Sequence, residues 1–326
     1  MTTQQVHYII TLAEEGSFSK AAKKLSVTQP SISQLIKNME AQLGVLLFDR
    51  SFTPIRLTTV GQAYYDAAKK IQSTERELEN RISEIHELKT GTLTIGTTPF
   101  RGAYMLPGSF SAFQAAFPEI KLNIITTNAG KLKSLLLSGE IDICIETGRF
   151  DPKLFYTEDL SMEHYYLAVG KSHTFNQRHF TCQLEAADII SDSLALSGQR
   201  KISIKDCLQE PFLILDAQTD DPDITFDLFN KENQTPKIAL EARNLETILH
   251  WINAGLGIGI LPDTMIRFGN FKEHPVYYRL QEPEGTPALT KKKIVAAYSK
   301  RHFLSQTASA YIHLLKQFIR QGSQNL

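Results

Sequence analysis

The sequence contains few cysteines and no long apolar run. Its three cysteines, Cys144, Cys182 and Cys207, are odd in number and far apart in the chain. This spacing argues against a disulfide framework and fits a reducing compartment. A membrane-spanning helix needs about 20 apolar residues, whereas the uncharged apolar stretch 254–262 is much shorter. We therefore expect no membrane span.

The sequence also lacks a targeting segment and the common motifs of enzymes. The N-terminus has no basic start, and Glu14 and Glu15 interrupt its first apolar run. This pattern excludes a secretory signal, so the cytoplasm is the expected location. No GxSxG, Walker, HExxH or paired CxxC motif occurs, and the nine histidines are scattered without metal-ligand spacing. We therefore expect neither an enzyme nor a bound cofactor or metal.

The composition is that of a folded protein with more than one domain. At about 150 residues per domain, the 326 residues predict two or three domains. The net charge of zero hides an uneven distribution, because the segment from Ser17 to Thr58 holds six basic and two acidic residues and the remainder is mildly acidic. A compact basic module suits a partner rich in phosphate, although a solvated charged face would have the same composition.

Three helices are predicted in and before this basic segment. The first carries an apolar face at helical spacing and ends at Gly16, and Ser17 can cap the second. Thr28 can cap the third helix, which contains Pro30 in its first turn and ends at Gly44. The apolar faces are formed by Val6, Ile9, Ile10 and Ala13 in the first helix and by Ile32, Leu35, Ile36, Met39 and Leu43 in the third.

The opposite face of the third helix carries amides, a hydroxyl and a lysine, namely Gln29, Ser33, Gln34 and Lys37. A short helix, a tight turn at Ser26 and Val27, and a helix with such a polar face are typical of the helix-turn-helix, which places its second helix in the major groove of DNA. Amide, hydroxyl and lysine side chains can bind base edges or phosphates. An ordinary helical hairpin with a solvated face explains this pattern equally well.

Further residues resemble one family. SFSKAA at 17–22, LSVTQPSIS at 25–33 and LGVLLFDR at 43–50, with Leu57, Thr58 and Gly61 after them, are similar to the winged helix-turn-helix of LysR-type transcriptional regulators. The resemblance extends over the whole chain in domain order and length. It implies base or backbone contacts to double-stranded promoter DNA from Thr28, Gln29, Pro30, Ser33, Gln34 and Lys37, and from Arg50, Thr53 and Arg56 in the wing. It gives Phe48 and Asp49 a role in holding the base of the wing.

A long helix is predicted from Val60 to Leu88. The positions of its apolar seam lie four and three residues apart and are Val60, Tyr64, Ala67, Ile71, Thr74, Leu78, Arg81, Ile85 and Leu88. Thr74 and Arg81 are faults in this seam, and Ile82 can cover the second. Such a seam must be buried against another helix. We expect the partner to be a second copy of the chain, with packing against its own chain as the alternative. The resemblance implies a homodimer through this helix and commonly a dimer of dimers; RNA polymerase is a further candidate partner.

From Gly91 onward the pattern alternates between strands and helices, which predicts an α/β domain with a largely parallel sheet. Polar residues follow four predicted strands and precede helices, so they should meet at one edge of the sheet, where such domains bind ligands. Three of these strands are 93–97, 120–126 and 212–215, and the fourth strand end is at Ala242; a further strand is predicted at 141–145. The predicted effector-binding residues are Thr98, Pro99, Phe100, Thr127, Asn128, Asp216, Gln218 and Asn244, each of which can alternatively be a helix cap without a ligand.

The charge of this small-molecule effector is left open by the sequence. Arg101 could supply a counter-charge for an anion, whereas several acids near the predicted cleft would oppose one. These acids are Glu146, Asp216, Asp220, Asp221 and Asp223.

The resemblance also implies an architecture: two α/β lobes joined by two crossing strands, as in periplasmic binding proteins. The implied domains are a winged helix-turn-helix at 1–58, a linker helix at 59–90, lobe I at 91–161 with 267–326, and lobe II at 162–266, with crossings near Met162 and Met265. The stretch between His173 and Ile202 is longer than the family pattern.

The sequence leaves two functions open. The first is a sequence-specific transcription regulator that responds to an effector in the cleft. The second is a metabolite-binding module or enzyme whose N-terminal helices only mediate assembly. A redox switch using Cys182 and Cys207 is a less favoured variant, because incidental buried thiols are commoner and nothing basic closely flanks Cys182.

Overall fold

The computed structural model describes residues 1–85, 90–191, 200–216, 223–282 and 288–321. The chain forms two compact units, residues 1–92 with 137–140, and residues 93–136 with 141–326. None of the helices in the described ranges combines the length and the apolar character that crossing a bilayer requires.

The first unit is a helical domain with a small wing. Its elements are α1 (Thr3–Glu15), α2 (Phe18–Lys24), α3 (Gln29–Leu43), β1 (Phe48–Asp49), β2 (Arg56–Leu57) and α4 (Thr59–Ile85). The predicted helix ends are confirmed: Ser17 and Thr28 accept hydrogen bonds from the Lys20 and Ser31 backbone, and Gly16 and Gly44 adopt left-handed φ angles of 58° and 70°. The strands β1 and β2 pair antiparallel, Phe48 with Leu57 and Asp49 with Arg56.

The core of this unit changes the interpretation of the long helix. Tyr64 and Ile71 of the predicted seam are partly buried and pack with Ala68 against a core of α1, α2 and α3 residues, whereas Val60 is 45% exposed. The alternative of packing against its own chain therefore applies to Tyr64 and Ile71. Farther along, Leu78 and Ile82 remain 57% and 47% exposed. Leu88 lies outside the described residues.

The second unit is a two-lobed α/β domain. Its helices are α5 (Pro107–Ala116), α6 (Ala129–Ser138), α7 (Phe175–Arg178), α8 (Ala186–Ile190), α9 (Ile224–Lys231), α10 (Leu245–Asn253), α11 (Asp263–Phe268) and α12 (Gln306–Gln321), with a π-helical turn at Arg101–Met105 and 3-10 turns at Phe180–Cys182 and Ile204–Cys207. Its strands are β3 (Gly91–Thr97), β4 (Ile120–Thr126), β5 (Ile143–Thr147), β6 (Phe155–Val169), β7 (Pro211–Leu215), β8 (Lys237–Ala242), β9 (Ile258–Pro262), β10 (Val276–Arg279) and β11 (Lys291–Ser299).

The described strands of this unit share one sheet, in the order β4-β3-β5-β11-β6-β9-β7-β8, with β10 also paired to β6. The pairs β3–β5, β7–β8 and β7–β9 are parallel, as predicted. The sheet is nevertheless mixed, because β6 pairs antiparallel with β9, β10 and β11. The predicted strand 141–145 is shifted and runs from Ile143 to Thr147.

The strand β6 connects the two lobes. Its first part pairs with β11, and its last residues pair with β9 and β10, so Met162 lies at the first crossing as predicted. The second crossing is not near Met265, which is buried in helix α11. Since β10 still packs in the core of the second lobe, the chain returns between β10 and β11, beyond the predicted boundary at 266.

Candidate functional site

The helix α3 presents a polar face because most of its apolar residues pack in the core, although the predicted core residue Leu43, the last residue of the helix, is 43% exposed. Ile32, Ile36 and Met39 are buried. Thr28 fixes the start of the helix, since its Oγ1 accepts a hydrogen bond from the Ser31 backbone N–H at 3.4 Å. The predicted DNA-contacting residues Thr28, Gln29, Pro30, Gln34 and Lys37 are exposed, and Ser33 is half-buried.

Two amides on this face already have neighbours. The Ser19 hydroxyl donates to Gln29 Oε1 at 2.9 Å, and Gln34 Nε2 donates to Asn38 Oδ1 at 2.8 Å. These contacts orient both side chains along the surface. A base edge would share or replace them, as is usual for exposed polar side chains.

The wing lies between β1 and β2, and its predicted contact residues differ in their surroundings. Thr53 and Arg56 are exposed, and the Arg56 guanidinium lies 4.6 Å from the centre of the Phe52 ring. Arg50 instead donates to the buried Glu40 carboxylate at 2.7 Å. The structure therefore groups Arg56 and Thr53 on the open wing and assigns Arg50 an intramolecular partner.

The base of the wing matches the role predicted for Phe48 and Asp49. Phe48 is 1% exposed in the core of this unit. The Asp49 carboxylate accepts hydrogen bonds from the Ser51 hydroxyl and backbone N–H, which lower the pKa of Asp49. These contacts stabilise the turn that leaves β1.

The second unit contains a cavity of about 700 Å³ between its lobes, within the size range of small-molecule sites. Seven of the eight predicted effector-binding residues line it, namely Thr98, Pro99, Phe100, Thr127, Asn128, Asp216 and Asn244. The eighth, Gln218, lies outside the described residues. Strand ends far apart in the sequence thus converge on one site.

Several of these residues are also helix caps. Asn128 accepts a hydrogen bond from the Lys131 backbone at the start of α6, and Asn244 accepts one from the Thr247 backbone at the start of α10, both at 2.8 Å. Asp223, which also lines the cavity, caps α9 through the Thr225 backbone at 2.9 Å. At these positions, capping a helix and lining the cavity are therefore compatible. A helix that begins at the cavity directs its remaining backbone N–H groups into the cleft.

The segment 98–105 departs from the predicted strand-to-helix pattern. A π-helical turn at Arg101–Met105 follows Phe100, which makes no side-chain cap, and α5 begins only at Pro107. The π-helical turn carries Arg101 into the wall of the cavity.

Arg101 is already paired with two carboxylate side chains. It is 6% exposed and donates to Glu146 Oε1 at 2.7 Å and to Glu163 Oε2 at 3.0 Å. Glu163 also accepts hydrogen bonds from Tyr165 and Thr264. Burial raises the pKa of Glu163, and the Arg101 charge opposes this rise. These two ion pairs disfavour Arg101 as the counter-charge for an anionic ligand, and the charge of the ligand stays open.

The cavity wall includes residues that the sequence pattern does not indicate. They include Glu163 and Tyr165 of β6, Arg243, Leu245 and Glu246 at the start of α10, Ile260 and Pro262 of β9, and Lys292 of β11. Arg243 and Glu246 flank the predicted Asn244 and could have been found from that position. The β6, β9 and β11 residues could not, since they reach the cavity through antiparallel pairing around the crossing strand.

The chemical character of this wall is mixed. Phe100, Leu215, Ile224 and Ile260 supply apolar surface, Arg243 and Lys292 are basic, and Asp216 and Glu246 are acidic. An apolar wall with a few polar groups suits a small molecule with an apolar body and a polar end.

The cysteines and the acidic residues show no redox or metal centre in the described part of the chain. Cys144, Cys182 and Cys207 are buried and unbonded. Burial raises the pKa values of the Cys144 and Cys207 thiols, which disfavours the reactive thiolate. Among the described residues, no three His, Cys, Asp or Glu side chains are grouped to hold a metal ion.

Comparison with protein families gives two matches. Residues 3–62 match the family of bacterial regulatory helix-turn-helix proteins of the lysR type, and residues 86–320 match the LysR substrate binding domain. The first match lies in the first unit, and the second spans most of the second unit.

Individual relatives match over most of the chain. An uncharacterized HTH-type transcriptional regulator, YcgK of Bacillus subtilis, is 26% identical over 323 residues, covering 98% of this chain and 96% of its own. A probable RuBisCO transcriptional regulator of Emiliania huxleyi is 27% identical over 259 residues, covering 78% and 77%.

Solved structures show the same fold. Full-length CbnR in complex with its target DNA has a TM-score of 0.65 at 19% identity, covering 97% of this chain and 99% of its own. A full-length OxyR variant from Pseudomonas aeruginosa has a TM-score of 0.66 at 24% identity, covering 98% and 95%.

Proposed function

Since this chain belongs to the LysR family of bacterial helix-turn-helix transcriptional regulators, we propose that it binds promoter DNA through α3 and the wing. The observation that carries this proposal is the orientation of α3, whose apolar face is buried while Gln29, Gln34 and Lys37 are exposed. The similar CbnR chain, solved with its target DNA, supports the same function. The family also favours this function over an assembly role for the N-terminal helices.

The cavity of the second unit is the proposed effector site. A small molecule bound there contacts both lobes and stabilises the arrangement that it fits best, which changes how the recognition helices of an oligomer are presented to DNA. The oligomer is a homodimer or a dimer of dimers assembled through α4, whose Leu78 and Ile82 are exposed. No resident cofactor or metal is part of this proposal.

Footprinting on the DNA upstream of its own gene tests the first part. We expect two protected half-sites about one helical turn apart, with binding that weakens steeply as salt rises. Gln29→Ala should relax base preference at a cost of about 1–3 kcal/mol, whereas Arg56→Ala should weaken all sequences together. Wild-type protein that protects no such site at low salt in any effector condition would contradict the proposal.

Thermal-shift screening of metabolites against the full chain tests the second part. A ligand that binds only the native state raises the melting temperature. Ala129→Leu places a bulkier side chain in the wall of the cavity. We expect this substitution to abolish the increase in melting temperature that each stabilising metabolite produces. The matched control is Ala115→Leu on the exposed side of α5. Hits that stabilise both variants equally would place the effector elsewhere.

A further inference from the structure

The buried side of α3 contains one carboxylate among apolar residues. Glu40 is 6% exposed and follows Ile36 and Met39 on this face. Its Oε1 accepts hydrogen bonds from the backbone N–H groups of Leu47 and Phe48, at 3.0 and 3.2 Å. A carboxylate in such a place is costly unless it is paired and hydrogen-bonded. Here it binds the chain at the point where the wing begins.

Arg50 completes this contact from the other side. It donates to Glu40 Oε2 at 2.7 Å, and its guanidinium lies 5.3 Å from the centre of the Phe18 ring in α2. The Arg50 side chain of the wing thus contacts both Phe18 of α2 and Glu40 of α3. A planar guanidinium can make an ion pair and stack on a ring at the same time, which a lysine ammonium cannot reproduce.

The strand register extends this contact to the outer side of the wing. Glu40 holds the backbone of Phe48, and β1 pairs Phe48 with Leu57 and Asp49 with Arg56. The position of the exposed Arg56 relative to α3 therefore depends on β1, and Glu40 is one of the groups that hold β1 in place.

On the basis of the proposed DNA-binding function, we propose that Glu40 is a positioning residue that fixes the wing relative to α3, and that Arg50 acts on DNA through Glu40. Both arginines are exposed. The Arg50 guanidinium is hydrogen-bonded to Glu40, whereas the Arg56 guanidinium lies over the Phe52 ring and can contact a phosphate directly. The family resemblance alone groups both arginines as DNA contacts.

Glu40→Gln separates positioning from simple electrostatics. The substitution removes a negative charge from the basic module, so electrostatics alone would tighten DNA binding. Positioning predicts the opposite, a loss of roughly tenfold in affinity. The amide oxygen of the glutamine can still accept the two backbone hydrogen bonds, but its NH2 group cannot accept the hydrogen bond from Arg50, so the ion pair is lost. Affinity is measured by fluorescence anisotropy of the full chain on a duplex from its upstream DNA, at several salt concentrations.

Substitutions of Arg50 provide a second, independent measurement. Arg50→Lys keeps the charge, so it should bind like wild type if Arg50 neutralises a phosphate and should weaken binding if Arg50 acts through Glu40. Arg50→Gln should leave the slope of log affinity against log salt unchanged, whereas the control Arg56→Gln should reduce that slope by about 0.9. The double variant Glu40→Gln with Arg50→Gln should bind no more weakly than the weaker single variant.

Circular dichroism melting of each full-length variant accompanies these measurements. If Glu40→Gln unfolds, Arg50→Lys and the salt slope of Arg50→Gln carry the test. Tighter binding by folded Glu40→Gln, or a slope for Arg50→Gln reduced as much as that for Arg56→Gln, would overturn the inference. Failure of the wild type to bind any duplex would instead refute the proposed function.

Discussion

Polar residues at the strand ends of the effector domain combine two roles. Asn128 and Asn244 each accept a backbone hydrogen bond at the start of a helix, and each also lines the cavity. A cap orients the amide, so its remaining polar atom has a defined direction toward the cleft. These residues could be predicted from sequence because capping chemistry is local. Lys292 could not, since only strand pairing brings it to the cavity.

Asp223 is the most strongly constrained of these caps. One carboxylate oxygen accepts a hydrogen bond from the Thr225 backbone, and the other accepts one from the Leu215 backbone at 2.8 Å. Burial nevertheless raises the pKa of Asp223 above its ordinary value of 3.8, against the opposing effects of these hydrogen bonds and of the Lys292 charge. The folded protein therefore holds the proton of this group more tightly than the unfolded chain does.

Asp223→Asn should reveal this difference as a pH dependence. An acid with a raised pKa in the folded state contributes stability below its unfolded pKa, and that contribution is lost as the pH rises through the folded pKa. We expect the free energy of unfolding of wild type, minus that of Asp223→Asn, to fall as the pH rises above about 4 and then to level off. Urea unfolding at a series of pH values measures this difference.

Asp223→Asn also removes the carboxylate oxygen that accepts a hydrogen bond from the Leu215 backbone. This loss is the same at every pH, so it shifts the curve of stability difference against pH without changing its shape. The matched control is Asp227→Asn, which removes an exposed carboxylate from the same helix and so separates net charge from burial. If the unfolding free energy of wild type minus that of Asp223→Asn rose with pH, Asp223 would not have a raised pKa in the folded protein.

The helix ends of the first unit could be predicted from local sequence, whereas the second crossing between the lobes of the second unit could not. Ser17, Thr28 and Gly44 mark their boundaries through local hydrogen bonds and backbone angles. The second crossing, predicted near Met265, depends on whether a strand pairs with the first or the last part of β6. Both β10 and β11 are strand-forming segments, and pairing choice is a tertiary property that local sequence does not encode.

Gly61 determines how α4 begins. A Cβ atom at this position would lie 1.9 Å from the carbonyl oxygen of Leu47. The Thr58 hydroxyl accepts a hydrogen bond from the Gly61 backbone and donates one to the Leu46 carbonyl, so the backbones are held together. Because the clash is with backbone, a side chain cannot relieve it by changing rotamer.

Gly61→Ala should therefore destabilise the first unit by about 1–3 kcal/mol, the usual cost of overpacking. The control Gln62→Ala changes the exposed neighbouring residue and should stay within about 0.5 kcal/mol. Chemical denaturation followed by circular dichroism compares the two. Equal stability of Gly61→Ala and wild type would show that α4 can begin without this close contact.

The apolar residues of α4 lie in two different environments. Tyr64, Ala68 and Ile71, on its first half, pack against the core of the first unit. Leu78 and Ile82, one helical turn apart, are exposed on the later half. A heptad pattern includes both the core-packed and the exposed residues, because it depends on the spacing of apolar residues and not on which helix they pack against. This explains why the sequence predicted the seam but assigned its first half to a second chain.

We propose that the exposed later half of α4 is the oligomerisation surface. Leu78→Glu places a charge where an apolar side chain would be buried, and in a symmetric dimer the substitution occurs on both sides of the interface. We expect sedimentation velocity to show an oligomer for wild type and a shift toward monomer for Leu78→Glu, with weaker binding to two-half-site DNA. Glu79→Ala, on the same exposed helix but outside the seam, should keep the wild-type mass. An unchanged mass for folded Leu78→Glu would mean that the chains associate through another surface, and α4 would then serve only as a connector.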